Sequence, residues 1–286
     1  MLIVHAPSGT PTAEAVMARA QTENFPVASH VLPRRVRGHL LAIYGFARLV
    51  DELGDSAPGD RLAALDWLEE DLDRAFRGCA EHPLLVRLTP TLRACGLTRE
   101  PFVRLIEANR MDQRVVRYGT WAQLRAYCAL SADPVGELVL AILGLATPAR
   151  ITLSDSICTA LQLTEHCQDV AEDRARGRVY LPAEDLERFH CTSAELEAEH
   201  AGGPLRDVIA FEVARARRLL AEGTPLIDEL HGRARIAIAA FVAGGASALD
   251  AIERGRYDVL PGPPPVSARR RLLALGVTLM GGGRGS

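Results

Sequence analysis

Four aspartates stand out by type and spacing. Asp51 and Asp55 lie four residues apart in LVDELGD, and Asp169 and Asp173 repeat that interval in QDVAEDRARG. Residues four apart share one face of a helix, where like charges destabilise it unless something offsets them. The first pair follows an apolar run containing Leu40, Leu41, Ile43, Tyr44, Phe46, Ala47 and Val50. A carboxylate buried in such a setting must be paired or bind metal. A single pair at this spacing is also what a solvated acidic helix end looks like. Two pairs in one chain point further. If they face each other across a cavity, four carboxylates line one rim, and divalent cations offset the repulsion. Mg2+ keeps several waters and shares its sites with substrate phosphates. Arg174, Arg176 and Arg178 directly follow the second pair and can add bidentate phosphate contacts. The pattern points to a diphosphate held by metal ions. His166, one turn before the second pair, reads as a structural or hydrogen-bonding residue, because Mg2+ favours oxygen.

Helices must position these groups. Leu62, Leu65, Leu68, Leu72 and Phe76 recur at intervals of three and four, with Asp66, Glu69, Glu70 and Asp73 on the other face. No convincing alternating strand pattern occurs. Proline and glycine punctuate the chain near residues 56–59, 82–83, 96–101, 133–134, 147–148, 202–204 and 223–225, with segments of helical length between them. Gly177 predicts the end of the helix carrying the second pair, and Val179–Pro182 an extended exit. No break is long enough to be a domain linker, so one helical domain over residues 1–280 is expected, with 281–286 a disordered tail.

The 286 residues are 48% hydrophobic and carry a formal net charge of −3, which speaks against nucleic acid as a partner. Six scattered cysteines without a CxxC pair fit neither a disulfide framework nor a zinc site and suit a reducing cytoplasm. The opening MLIVHAPSGTPTAEA lacks a signal-peptide pattern. The longest uncharged stretch, Ile236–Leu249, falls short of the roughly 20 apolar residues that span a bilayer. A soluble, cytoplasmic protein is expected. Peripheral contact with the inner membrane face stays open, through Arg269–Arg271 and the apolar residues that follow.

Four stretches, NFPVASHVLP (24–33), YGFARLVDELGD (44–55), YCALSADPVG (127–136) and QDVAEDRARGRVYLP (168–182), together resemble the squalene and phytoene synthases, and YDVL (257–260) extends the likeness. Within that family, ENFPVAS and MDQRVVRYGTW (111–121) are similar to the bacterial hydroxysqualene synthases of hopanoid pathways. The resemblance implies an all-α isoprenoid synthase bundle around a central apolar cavity. It implies Mg2+ bound by Asp51, Asp55, Asp169 and Asp173, with Glu52 and Glu172 beside them. Substrate contacts would come from Phe25, Tyr44, Arg48, Gln168, Arg178, Tyr257 and Arg271, and Tyr127 would lie near the reacting carbons. Glu52 stands where many relatives have a second aspartate, Glu165 where they often have asparagine, and Gln168 where some have arginine. PGPPPVS replaces an arginine-rich stretch after YDVL.

The implied reaction ionises presqualene diphosphate and captures the cation with water, giving hydroxysqualene without NADPH. Head-to-head coupling of prenyl diphosphates to presqualene diphosphate, squalene or phytoene would use the same aspartates. A non-catalytic helical partner of other squalene or hopanoid pathway enzymes would not need all four.

Overall fold

A computed structural model describes residues 7, 9–18, 31–262, 266 and 268–281. The chain is 73% helical with no strand among the described residues, which bears out the all-α reading. The helices are α1 (Ala13–Ala18), α2 (Arg34–Asp55), α3 (Arg61–Arg77), α4 (Pro83–Cys95), α5 (Glu100–Asp112), α6 (Trp121–Ser131), α7 (Asp133–Ile142), α8 (Pro148–Gln168), α9 (Val170–Ala175), α10 (Ala183–Arg188), α11 (Gly203–Gly223), α12 (Gly232–Arg254) and α13 (Ala268–Gly281). They form two compact units, one within residues 1–114 and 134–147, the other within 115–133 and 148–286.

In the first unit α2 packs against α1, α3, α4 and α5. Its buried stripe of Leu40, Ile43, Phe46, Leu49, Val50 and Leu53 follows the helical repeat. Phe46 meets Phe102 of α5 edge to face at 5.1 Å, and Phe76 of α3 meets Phe102 at 6.2 Å. The expected stripe of α3 holds, with Leu65, Leu68 and Leu72 fully buried. Asp60 caps α3 by accepting from the Ala63 amide at 3.0 Å. Gly78 closes it at φ 87°, a left-handed conformation that glycine adopts without a Cβ clash. Arg110 of α5 holds Asp66 and Glu69 of α3, and Arg99 holds Glu69 and Asp73.

In the second unit α8 and α11 pair along their lengths, and α12 packs on α8, α11 and α13. A Cβ on Gly223 would sit 2.6 Å from the Leu153 carbonyl, so only glycine allows that approach of α11 to α8. Buried Arg215 bridges Glu212 and Asp185 and lies over the Trp121 and Phe211 rings. α12 runs beyond the uncharged Ile236–Leu249 at both ends. Its 23 residues are long and apolar enough to cross a membrane by length and composition, contrary to the shorter stretch counted from sequence. In this unit 56% of its apolar window is buried. α13 leaves Leu273 and Val277 exposed.

Candidate functional site

Tyr44, Arg48, Asp51 and Asp55 fall on one face of α2 by helical spacing. The last turn of that face is braced by α5. Asn109 donates from Nδ2 to Asp51 Oδ1 at 3.3 Å. Gln113 donates from Nε2 to the Gly54 carbonyl at 2.9 Å and to the Asn109 carbonyl at 3.0 Å. Gly54 makes this possible, since a Cβ there would lie 2.2 Å from Asn109 Oδ1. Glu52 accepts from Arg48 Nη2 at 3.2 Å one turn away. Arg48 Nε is buried with no partner among the described residues. Burial pushes the Asp51 carboxyl up to about 7. Arg48 and Asn109 pull it down, and Asp55 and the buried Asp112 push it up.

The second pair is built differently. The spacing predicts one helix through Asp169 and Asp173, but the helix breaks at Asp169, whose φ of −104° and ψ of 18° separate α8 from α9. The Asp173 amide still donates to the Asp169 carbonyl at 2.8 Å, so the aspartates stay one turn apart. α9 ends at Ala175, Gly177 turns the chain at φ 80°, and the Arg178 amide returns to the Asp173 carbonyl at 2.9 Å. The exit is extended as expected. Val179 donates to the Val116 carbonyl, and Ala183 and Glu184 donate to those of Tyr118 and Gly119. Burial, then Glu172, raises the Asp169 carboxyl against the pull of Arg176. Burial, then Asp169, raises Asp173 to about 7, with Arg176 and Arg178 opposing. Glu172 accepts from Arg176 at 2.7 Å, and Arg174 pairs with Glu197.

Beside this pair lies a small cavity of about 10 Å³, room for about one water molecule, bordered by His166, Val170, Asp173, Arg178, Tyr180 and Leu196, among others. Tyr118, Tyr127, His166 and Tyr180 form one aromatic cluster. His166 stacks on Tyr180 at 4.2 Å, and Tyr127 lies 5.4 Å from both Tyr118 and Tyr180. His166 meets Gln162 Nε2 through its own Nε2 at 3.0 Å. Burial lowers its pKa to about 3, so the ring is neutral at physiological pH.

Within the first unit the structure thus brings together Tyr44, Arg48, Asp51, Glu52 and Asp55. Within the second it brings together Asp169, Glu172, Asp173 and Arg178, with Tyr127 reached through Tyr180 and His166. Gln168 is buried beside Asp169 in the chain. Tyr257 sits apart in the turn after α12 at φ 60°, following Arg256 at φ 54°. Asp258 anchors that turn by accepting from the Ala201 amide and His200 Nδ1, both at 2.8 Å. Arg271 belongs to α13, but its side chain lies outside the described residues, as does the whole of Phe25. Sequence reasoning missed Asn109, Asp112, Gln113, Tyr118 and Tyr180 as site residues. Four of them stand inside MDQRVVRYGTW and GRVYLP, strings that already carried the family resemblance.

No group of three or more His, Cys, Asp or Glu among the described residues is arranged to cage a metal ion. The paired carboxylates nonetheless fit Mg2+, which binds through one or two carboxylates plus waters and substrate phosphates. Asp51 and Asp173 are desolvated enough to hold protons near neutrality, and a bound cation would replace those protons.

A model of the squalene/phytoene synthase family matches residues 18–270. Phytoene synthase from Arthrospira platensis is 32% identical over 268 residues, covering 88% of this chain and 87% of its own. Hydroxysqualene synthase from Zymomonas mobilis is 35% identical over 220 residues, covering 74% and 72%. The crystal structure of squalene synthase HpnC from Alicyclobacillus acidocaldarius superposes with a TM-score of 0.79 at 46% identity, covering 86% of this chain and 94% of that one.

Proposed function

The chain belongs to the squalene/phytoene synthase family, whose enzymes act on prenyl diphosphates, and from that premise we propose that it converts presqualene diphosphate and water into hydroxysqualene and inorganic diphosphate. The observation that carries the reading is the two aspartate pairs, each with a desolvated carboxyl raised to about 7 and each with arginine nearby. The 35% identity to hydroxysqualene synthase from Zymomonas mobilis and the likeness of MDQRVVRYGTW to hydroxysqualene synthases support this reaction within the family.

In this proposal Asp51 and Asp55, with Glu52, and Asp169 and Asp173, with Glu172, hold Mg2+. When bound, the cation supplies Lewis-acid stabilisation of charge on the departing diphosphate. Arg48 and Arg178 would offer their guanidinium groups to phosphate oxygens. These fixed cationic donors favour the leaving group as the carbon–oxygen bond breaks. Tyr44 and Tyr257 would complete the substrate contacts.

The organic fragment is left positively charged. Tyr118, Tyr127 and Tyr180 present neutral aromatic faces, which attract a cation by about 2 kcal/mol or more when desolvated. His166 stays uncharged in the same cluster and adds no repulsion. Water then forms the new carbon–oxygen bond and gives up one proton. No electrons are transferred, so NADPH is not required. This places the enzyme in squalene and hopanoid biosynthesis, after the step that makes presqualene diphosphate.

A second reading, head-to-head condensation of prenyl diphosphates, is favoured by the phytoene synthase likeness, which covers 88% of the chain. A product assay separates the two. Purified protein with Mg2+ and presqualene diphosphate, without NADPH, should yield hydroxysqualene, while farnesyl diphosphate alone should yield nothing. Presqualene diphosphate or a coupled hydrocarbon from farnesyl diphosphate would establish the second reading instead.

A further inference from the structure

We propose that α13 docks this protein on an anionic membrane surface, seating Leu273 and Val277 among the lipid chains while Arg269 and Arg270 meet the phosphate headgroups. The inference concerns neither aspartate pair and stands or falls apart from the reaction proposed above.

The helix is seated on one side and open on the other. It packs along α12, and Arg235 of α12 donates from Nη2 to the Leu279 carbonyl at 3.1 Å. Leu273 and Val277 lie one turn apart on the same face. They are 63% and 65% exposed, more than any other large apolar side chain among the described residues. Two such side chains aligned on one helix face gain by leaving water together.

Charge selects the occupant. Residues 262–286 hold four arginines and no acidic residue, in a chain whose net charge is −3. Arg269, Arg270 and Arg271 stand consecutively in the first turn of α13. Cations there oppose the helix dipole, so helix stability does not account for them. Arg269 and Arg270 hold positions on the face of Leu273, four and three residues before it. A basic end and an apolar stripe on one helix face suit the boundary between lipid headgroups and lipid chains. A second copy of this chain would bring the same arginines to the contact and answer none of their charge. The prenyl chains that this family handles also prefer lipid to water, so docking would hold the enzyme where such molecules collect.

The test is co-sedimentation of the full-length protein with vesicles of phosphatidylglycerol mixed into phosphatidylcholine, set against vesicles of phosphatidylcholine alone. Each arginine near an anionic surface strengthens binding by about 5-fold, so the mixed vesicles should bind at least about 10-fold more tightly. Raising the salt to about 1 M should erase that preference. Arg269→Gln combined with Arg270→Gln should lose most of it. Leu273→Asn combined with Val277→Asn should weaken binding to the mixed vesicles by about 10-fold or more. The melting temperature of that variant, and its diphosphate release from detergent-dispersed substrate, should stay at wild-type values. Wild-type protein left in the supernatant with both vesicles would overturn the proposal, as would undiminished binding by the Leu273 and Val277 double variant. Dimerisation of the wild-type protein in sedimentation velocity, abolished in the same variant, would assign the face to a second copy and overturn it too. None of these outcomes bears on the proposed reaction, which the product assay judges.

Discussion

The two aspartate pairs share a spacing and differ in how they are held. Asp51 and Asp55 close an unbroken helix, and a neighbouring helix reaches in through Asn109 and Gln113 to hold their turn. Asp169 and Asp173 straddle a break between helices, and Arg174 and Arg176 beside them are tied to exposed glutamates. The first is braced by side chains of a neighbouring helix, the second by backbone bonds, with a small cavity beside it. The same four-residue interval can therefore be made rigid or left adjustable, depending on what packs against it.

The largest expected effect ignores that difference. Asp51→Asn and Asp173→Asn each remove a proposed cation ligand without removing a core contact. Mutating residues that only support metal ligands costs 10–100-fold, so losing a ligand should reduce diphosphate release by at least about 100-fold in either variant. Circular dichroism should remain helical in both. Near-normal release by one variant would show that only the other pair serves the reaction.

The pH dependence of stability comes next. In the metal-free protein Asp51 and Asp173 titrate at about 7, above the unfolded carboxylate range near 4. Between those values the folded chain keeps protons that the unfolded chain has released. Their contribution is full below about pH 4 and is lost as pH rises through about 7, so the melting temperature should fall across that window. Saturating Mg2+ should flatten the decline, because the cation takes the place of the protons. Asp51→Asn should remove only the first pair's share. A melting temperature that stays level from pH 4.5 to 7.5 without Mg2+ would contradict the burial of these groups.

Much of the fold was legible in the sequence because burial follows helical spacing. Leu65, Leu68 and Leu72 read as a stripe and are a stripe, and the glycine and proline breaks fall between helices. Pro90, by type a breaker, lies inside α4 between the buried Leu88 and Leu92, where tertiary packing outweighs the lost backbone bond. The aspartates were legible because paired like charges beside apolar residues need an explanation. Asn109 was not, because an isolated polar residue on α5 acquires its role only when α2 comes close. The break at Asp169 was hidden for the opposite reason: the four-residue spacing continues through it unchanged.

Two glycines sharpen the contrast at smaller scale. Gly54→Ala would drive a Cβ into Asn109, an overpacking that costs about 1–3 kcal/mol, and would also displace the donor to Asp51. Gly177→Ala meets nothing within 4 Å, but its φ of 80° penalises a side chain by about 1–2 kcal/mol. Denaturant titration should therefore show both destabilised, while only Gly54→Ala weakens Mg2+ binding at the first pair. Equal loss of Mg2+ affinity in both would mean that the second pair depends on its turn as much as the first depends on α5.

The smallest effect belongs to Arg176. It pairs with Glu172 one turn away at 2.7 Å, with the two side chains 49% and 61% exposed. An exposed pair of this kind contributes about 0.3–0.5 kcal/mol, so Arg176→Ala should hardly move the unfolding midpoint. Arg176 also draws the Asp169 and Asp173 carboxyls downward, and its loss should raise both. Mg2+ titrations should then show a slight weakening at pH 6.5 that disappears by pH 8, where the carboxyls are ionised in either protein. A large loss of affinity at both pH values would mean that Arg176 braces the second pair as firmly as Asn109 braces the first, and the distinction between a rigid pair and an adjustable one would fail.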